Sequence, residues 1–379
     1  MKIVKVETFR VPPRWLFLRI ATDEGIVGWG EPIVEGRAET VAAAVAELSD
    51  VLLGADPGPI EDHWQVLAKG GFYRGGPVLS SALAGIDQAL WDIKGKALGV
   101  PVYELLGGPV RERARVYRWI HGATAPELAE AGLCAVEQGY DAVKLNLTDR
   151  LRPLDTPATL RRAVDRLTAL REAVGWEVDM AIDFHGRFST ATARRTLPLL
   201  EPLQPMFVEE PVLPEFSRDL TALTATTPIP LATGERLYSR WDFRDVLPTG
   251  IAVAQPDLSH AGGISEVRRI ATMAEAYDVA LAPHCPLGPI ALAASLQVDF
   301  ATPNFLIQEQ SLDIHSPAPA FGHLADPATF RFADGQVERP TAPGLGIEID
   351  EEAVRRAATE GHRWRNEIWR HRDGSFAEW

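Results

Sequence analysis

From about Arg115 onward the chain repeats one rhythm: a short apolar run, then a helix-length amphipathic stretch, at near-constant spacing. Strand-like runs fall at residues 116–117, 142–146, 178–184, 206–209, 229–232, 251–255, 279–283 and 305–308. Helical patterns such as 157–174, 190–200 and 264–277 separate them. Short apolar runs that alternate with helices need a crossover helix over each strand, and so form a parallel α/β sheet. Eight such runs within roughly 200 residues favour a sheet closed into a barrel over an open one.

The first third lacks this rhythm and reads as an α+β module. Residues 3–11 alternate like a strand, residues 16–22 give a second, and Asp23-Glu24-Gly25 turns the chain into a third at 26–31. Helical patterns follow at 39–53 and 81–98, the second with a serine at its start and Gly99 then Pro101 to stop it. From about His315 the rhythm is lost again, and the chain ends in a Trp- and Arg-rich stretch, 364–379, expected to fold back on the first module.

At 379 residues the chain is long for one compact domain and short for three. A formal net charge of -14 disfavours nucleic acid and anionic membrane as partners. It does not exclude a small anionic substrate, because a metal or a Lys/Arg cluster reverses the sign inside one cleft. Two cysteines make no disulfide framework. Cys134, among Ala131, Leu133 and Val136, reads as a small buried hydrophobe, and Cys285 as a loop residue open to a reactive role. The first residues alternate polar and apolar without a signal peptide's apolar run, and no stretch reaches the ~18 apolar residues of a membrane span. A cytoplasmic location is the expectation.

In such a barrel the functional groups sit at the C-terminal ends of the strands. Here those ends carry Lys144 and Asn146, Asp183 and His185, Glu209-Glu210, Glu235, Asp257, His284 and Glu309. Twenty-six residues separate Asp183 from Glu209, and the same number separates Glu209 from Glu235. One strand–helix unit lies between each pair, so three carboxylates converge from neighbouring strands. Gathered acids repel one another unless a hard cation neutralises them, and oxygen-only ligation suits Mg²⁺. The competing reading makes each acid a helix cap or a surface group. Strand alternation would put Asp183 and His185 on one face, and Lys144 and Asn146 on another shared face. The same rule lets only one of Glu209 and Glu210 point inward. Asp257 and His284 fall on adjacent strands, where a carboxylate on one imidazole nitrogen would make the other a good general base. Asp257 as a mere cap of the 259–263 loop is the alternative.

Taken together, Lys144-x-Asn146, Asp183-x-His185, Glu209-Glu210-Pro211, Gly234-Glu235-Arg236, Gln255-Pro256-Asp257 and 282–286 (Ala-Pro-His-Cys-Pro) resemble the mandelate racemase subgroup of the enolase superfamily. Within it the chain most resembles the D-galactonate dehydratases, in Gly70 to Pro77, His284 to Pro289 and Trp369-Arg370-His371. The resemblance implies a (β/α)₇β TIM-type barrel with an α+β capping domain. Residues 1–115 would form the first part of the cap, 116–318 the barrel, and 319–379 a tail returning to the cap. It implies one Mg²⁺ per subunit, held by Asp183, Glu209 and Glu235.

Racemases of this type carry a second lysine where this chain has Asn146, so a symmetric two-base racemase is disfavoured. The implied reaction is dehydration of an acid sugar through a metal-stabilised ene-diolate, with a Lys or His base as the superfamily uses. His284, oriented by Asp257, would take the C2 proton and His185 would protonate the leaving 3-hydroxyl. Lys144 and Glu309 would contact the substrate carboxylate. Asn146, Arg14, Trp15 and Tyr73 are candidate substrate contacts, and the 147–153 loop is expected to border the distal end of the substrate. The alternatives are another aldonate (gluconate, arabinonate, fuconate), a racemase or epimerase, and a non-catalytic sugar-acid binder. The resemblance also implies an even-numbered homo-oligomer, such as an octamer.

Overall fold

The structure, a computed structural model, describes residues 1–310, 312 and 322–379. His315 and the expected 318/319 boundary lie outside them. The chain opens with an antiparallel meander of β1 (Ile3–Val11), β2 (Trp15–Thr22) and β3 (Val27–Gly30). Helices α1 (Ala38–Ser49), α2 (Ile60–Lys69), α3 (Pro77–Leu98) and α4 (Val102–Leu105) follow. The long α3 packs on β3 at a glycine contact: a Cβ on Gly30 would lie 2.0 Å from the Gly85 carbonyl, so neither backbone could come as close with side chains between them.

α3 begins a turn earlier than the serine suggests. Gly76 caps it at φ 84° and Pro77 takes the first helical position, where its missing N–H costs nothing. Ser81 is instead buried inside the helix. Gly99 ends it in the left-handed region as expected, at φ 71°. α1 stops at Ser49, four residues short of the expected end, and α2 was not anticipated.

β4 (Arg113–Arg115) leads into the barrel. Its strands are β5 (Arg118–Trp119), β6 (Ala142–Asn146), β7 (Asp179–Asp183), β8 (Phe207–Glu209), β9 (Leu231–Thr233), β10 (Val253–Ala254) and β11 (Ala280–Leu281). They pair in chain order, all parallel. The eighth segment, 305–308, closes the ring through parallel bridges Leu281↔Phe305 and Val116↔Gln308. Outside run α5 (Ala125–Glu137), α6 (Pro157–Val174), α7 (Thr190–Leu200), α8 (Leu220–Thr224), α9 (Arg240–Val246), α10 (Gly263–Glu275) and α11 (Pro289–Ala301). This is the (β/α)₇β order. The N-termini of α5, α6, α7 and α9 are capped by Thr124, Thr156, Ser189 and Ser239, whose oxygens accept from amides of the first turn.

The barrel interior is its own apolar cluster with one residue from each strand: Tyr117, Ala142, Ala181, Phe207, Ala232, Val253, Ala282 and Ile307. Large and small side chains share this layer, so the barrel interior is a packed core and not a pore. The ladders of β10 and β11 are shorter than the apolar runs predict. Past β11, Pro283 has no N–H to donate.

Cys134 is exposed, not buried as its apolar neighbours in the sequence suggest. α5 buries Leu128, Gly132 and Ala135, and Cys134 falls between those positions, exposed to solvent. The end of the chain pairs β12 (Phe332–Ala333) with β13 (Gln336–Glu338), and β13 with β4. Helix α12 (Glu351–Glu360) then lies against the first meander, with Glu351 bonded to Arg19 and Arg355 to Glu7.

Candidate active site

A cleft of about 490 Å³ opens over the C-terminal ends of the strands. Its barrel side includes Lys144, Asn146, Asp183, His185, Glu235, His284 and Glu309, and its other side Arg14, Glu35, Trp364 and Asn366. Parallel pairing sets Asn146 beside Asp183 and Asp183 beside Glu209. Glu235 follows two residues after β9.

Lys144, wholly buried, puts Nζ 2.5 Å from Glu209 Oε2 and 3.2 Å from Glu309 Oε1. Burial alone would lower its pKa, but Glu209 and Glu309 raise it well above the ordinary lysine value. Gln255 Nε2 also donates to Glu209 Oε2, at 2.7 Å, whereas Glu209 Oε1 is buried with no hydrogen-bond partner. Burial, and the charges of Asp183, Glu309 and Glu235, push the Glu209 carboxyl well up despite Lys144. Burial would raise Glu235 too, but His284, His185 and Arg236 bring it down to about 2. A buried acid with an orphaned oxygen, between two further carboxylates, is a donor set that suits a hard divalent cation.

Among the described residues, the set of His, Cys, Asp and Glu side chains with ligand atoms within 4.8 Å of one another is Asp257, His260 and His284. Hydrogen bonds already occupy it. Asp257 Oδ2 accepts from His284 Nδ1 at 2.8 Å, and Oδ1 accepts from the backbone N–H of Ser259 and His260. This cluster therefore reads as an oriented base. Donation from Nδ1 fixes the tautomer and leaves Nε2 to take a proton, where it faces Glu235 Oε2 at 3.3 Å. Burial opposes protonation of His284, yet Glu235, Glu309 and Asp257 raise its pKa well above the usual histidine value. A bridge between Asp257 and His284 joins the two strand ends, as the sequence spacing anticipates.

His185 reaches the cleft for a different reason than strand alternation. β7 ends at Asp183, and His185 adopts the left-handed region at φ 53°. Its N–H donates to Asp183 Oδ1 at 2.6 Å, which ties it to the carboxylate. Its Nδ1 lies 3.0 Å from the Trp379 main-chain oxygen, an acceptor only, so Nδ1 carries the hydrogen of that contact. The Trp379 ring stands edge-on to it at 5.3 Å. Glu210 also leaves the strand at φ 41° and pairs with Arg236, so Glu209 alone of the two acids faces Lys144.

Glu309 lines the cleft with both oxygens engaged. Burial opposes ionisation, but Lys144, His284 and the Trp119 indole lower its pKa. It accepts from Trp119 Nε1 at 2.6 Å and from the Cys285 N–H at 3.0 Å. As an acceptor it holds the Lys144 ammonium and the Trp119 indole in place.

Two proposed substrate contacts are not brought to the cleft. Tyr73 is 88% exposed beside Phe72 on the glycine-flanked 70–76 turn, and Trp15 is buried in the first module, stacked on Phe17. An aromatic with glycine on both sides reads like a binding loop, but glycines also let a turn project. Arg14 does line the cleft, with Nη2 donating to the Pro286 carbonyl at 2.7 Å. The 147–153 loop is not among the lining residues, and its Arg150 bonds the Arg370 carbonyl of the tail. Trp119 and His121, at the end of the first barrel strand, were missed although the strand-end rule finds them. Glu35, His260 and Trp379 carry no such signal. His260 Nε2 lies 3.3 Å from Glu35 Oε2. Burial opposes its charge, but Asp257 and Glu35 raise its pKa to about 9.

Residues 7–107 match the mandelate racemase / muconate lactonizing enzyme N-terminal domain, and residues 127–353 match the enolase C-terminal domain-like family. A D-galactonate dehydratase of Variovorax paradoxus is 53% identical over 382 residues, covering 100% of both chains. One from Ralstonia pickettii is 53% identical over 383 residues, again across 100% of both. Among solved structures, an enolase from Agrobacterium radiobacter bound to Na and L-malate aligns with a TM-score of 0.92 at 34% identity, covering 100% of each chain. An enolase superfamily member from Salmonella Typhimurium aligns at 0.88 and 35% identity, over 93% of this chain and 97% of that one.

Proposed function

The chain belongs to the mandelate racemase / muconate lactonizing enzyme family of the enolase superfamily, and we propose that it is a Mg²⁺-dependent dehydratase acting on D-galactonate. The observation that carries the chemistry is one cleft holding an Asp257–His284 pair at 2.8 Å, a separate histidine at position 185, and carboxylates on neighbouring strands. An aldonate's C2–H is very weakly acidic, because its loss makes a dianion.

Asp183, Glu209 and Glu235 would hold the cation, which supplies neutralising charge for the substrate carboxylate and for the ene-diolate that develops from it. Lys144 adds a second positive charge, held by Glu209 and by Glu309, which also accepts from Trp119. His284 Nε2 takes the C2 proton while Asp257 stabilises the imidazolium. His185 gives its proton to the 3-hydroxyl, which departs as water. The enol then ketonises to 2-keto-3-deoxy-D-galactonate. Asn146 cannot act as a second base, and this disfavours a racemase. Arg14 and Asn146 are the substrate contacts we retain.

At the scale of the chain, we read residues 1–115 and 319–379 as the cap and 116–318 as the barrel. The assembly we infer is an even-numbered homo-oligomer in the cytoplasm, with no nucleic acid or membrane partner. The acidic net charge argues against nucleic acid and anionic membrane as partners, and no helix among the described residues is long and apolar enough to cross a membrane.

The test is to incubate the purified protein with Mg²⁺ and a panel of acid sugars and assay for 2-keto-3-deoxy acids. Turnover of D-galactonate, abolished by EDTA, supports the reading. Product from another aldonate moves the substrate assignment, an epimerised sugar without water loss favours a racemase, and silence on every sugar overturns it.

A further inference from the structure

The base dyad is held from outside the barrel, by two fully buried side chains of the first module. Glu31, just past β3, places Oε1 2.7 Å from the Gly288 N–H and Oε2 2.9 Å from the Ala291 N–H. Those amides belong to the start of α11, four residues after His284 in the case of Gly288. Gln88, on α3, donates from Nε2 to the Leu258 carbonyl at 2.9 Å and to Ser259 Oγ at 3.2 Å. Those residues follow Asp257 directly, and the Ser259 N–H donates back to Asp257 Oδ1 at 2.6 Å. The two clamps are joined, because Gln88 Oε1 accepts the backbone N–H of Glu31 at 2.8 Å.

We propose that Glu31 and Gln88 are positioning residues for proton abstraction: one continuous buried hydrogen-bond chain fixes the loop bearing Asp257 and the loop bearing His284 in register with each other. The inference rests on the reading of His284 as the base. Neither residue touches the cleft. Their partners lie 257 and 170 positions away in sequence, on two different barrel loops. Simple attachment of the two modules would not require both contacts to fall on the two loops of the dyad. Space has been cleared for the first contact, since a Cβ on Gly288 would sit 2.5 Å from Glu31 Oε1. A base displaced by about 1 Å loses on the order of 10²-fold in rate without a change in what binds the substrate.

The test compares Gln88→Met, Glu31→Gln and Gly288→Ala with Asp92→Asn in the Mg²⁺-loaded enzyme. Asp92 is an equally buried acid of α3 that accepts from Trp29 and Leu345, not from either loop. For each, kcat and KM are measured with protiated and C2-deuterated D-galactonate, beside the thermal midpoint. The three clamp variants are expected to lose about 10²-fold in kcat with KM unchanged and an enlarged deuterium isotope effect. Asp92→Asn loses stability only. Wild-type kcat and isotope effect in folded clamp variants overturn the proposal, as does the same kinetic loss in Asp92→Asn. If Glu31→Gln does not fold, Gly288→Ala reports on the same contact from the loop side, and if Gln88→Met does not fold, those two variants still test the other clamp. Full turnover in His284→Asn would instead remove the base assignment itself, a failure distinguishable from that of the clamp.

Discussion

At the scale of single residues, the cleft is organised by one buried cation, Lys144, between two buried carboxylates, Glu209 and Glu309. Lys144, Asn146, Asp183, Glu235, His284 and Glu309 all reach the cleft. His185 does so through a left-handed turn, which periodicity cannot foresee. Glu309 is legible as a strand-end acid, but its hydrogen bond to Lys144, 165 residues away, is not. Lys144 gives the first prediction. Lys144→Met leaves Glu209 and Glu309 buried without their cation, so denaturant unfolding in EDTA should show a loss of about 3–5 kcal/mol. A loss below about 1 kcal/mol would mean that the pair is not buried as described.

At the scale of elements, apolar runs report the eight barrel segments because most of their residues are buried, although β5 and the start of the eighth segment are only half-buried. Helix ends were harder: α3 starts at Pro77 because Gly76 and Pro77 outcompete Ser81 as a start signal. α2 was missed because it is short and buries only Ile60, His63 and Trp64. The contact of α3 with α10 carries a titration. Asp87 accepts from the Ser265 N–H at 2.9 Å and from Ser265 Oγ, but burial outweighs these bonds and raises its pKa to about 7. The folded state therefore binds more protons at this site than the unfolded chain, whose value is near 3.8. The stability that Asp87 contributes is full below about 4 and is lost as pH rises toward about 7. Asp87→Asn should flatten the slope of thermal midpoint against pH in that window, as read by calorimetry. An unchanged slope would contradict the shift.

At the scale of the whole molecule, the active cleft belongs to both modules, and this was the least legible part of the sequence. Arg14, Glu35 and Trp364 meet the barrel only after folding, and Trp379 meets His185 across 194 positions. No local pattern encodes such contacts. A cation bound only by the folded barrel stabilises the chain by mass action, by about 2.7 kcal/mol at 100 times its Kd. Mg²⁺ should therefore raise the thermal midpoint of the wild type, EDTA should reverse the rise, and Glu209→Gln should abolish it. A Mg²⁺ shift that survives in Glu209→Gln would place the cation elsewhere.

The division of labour between two histidines is the central claim, and hydrogen exchange at C2 separates their roles. D-Galactonate is incubated in D₂O with Mg²⁺ and with His185→Asn or His284→Asn protein, and C2–H is followed by NMR beside product formation. Each variant should lose at least about 10²-fold in dehydration. His185→Asn, which keeps the base, should still exchange the C2 proton for deuterium, and His284→Asn should not. Exchange in His284→Asn, or near-normal dehydration in both variants, would contradict the assignment.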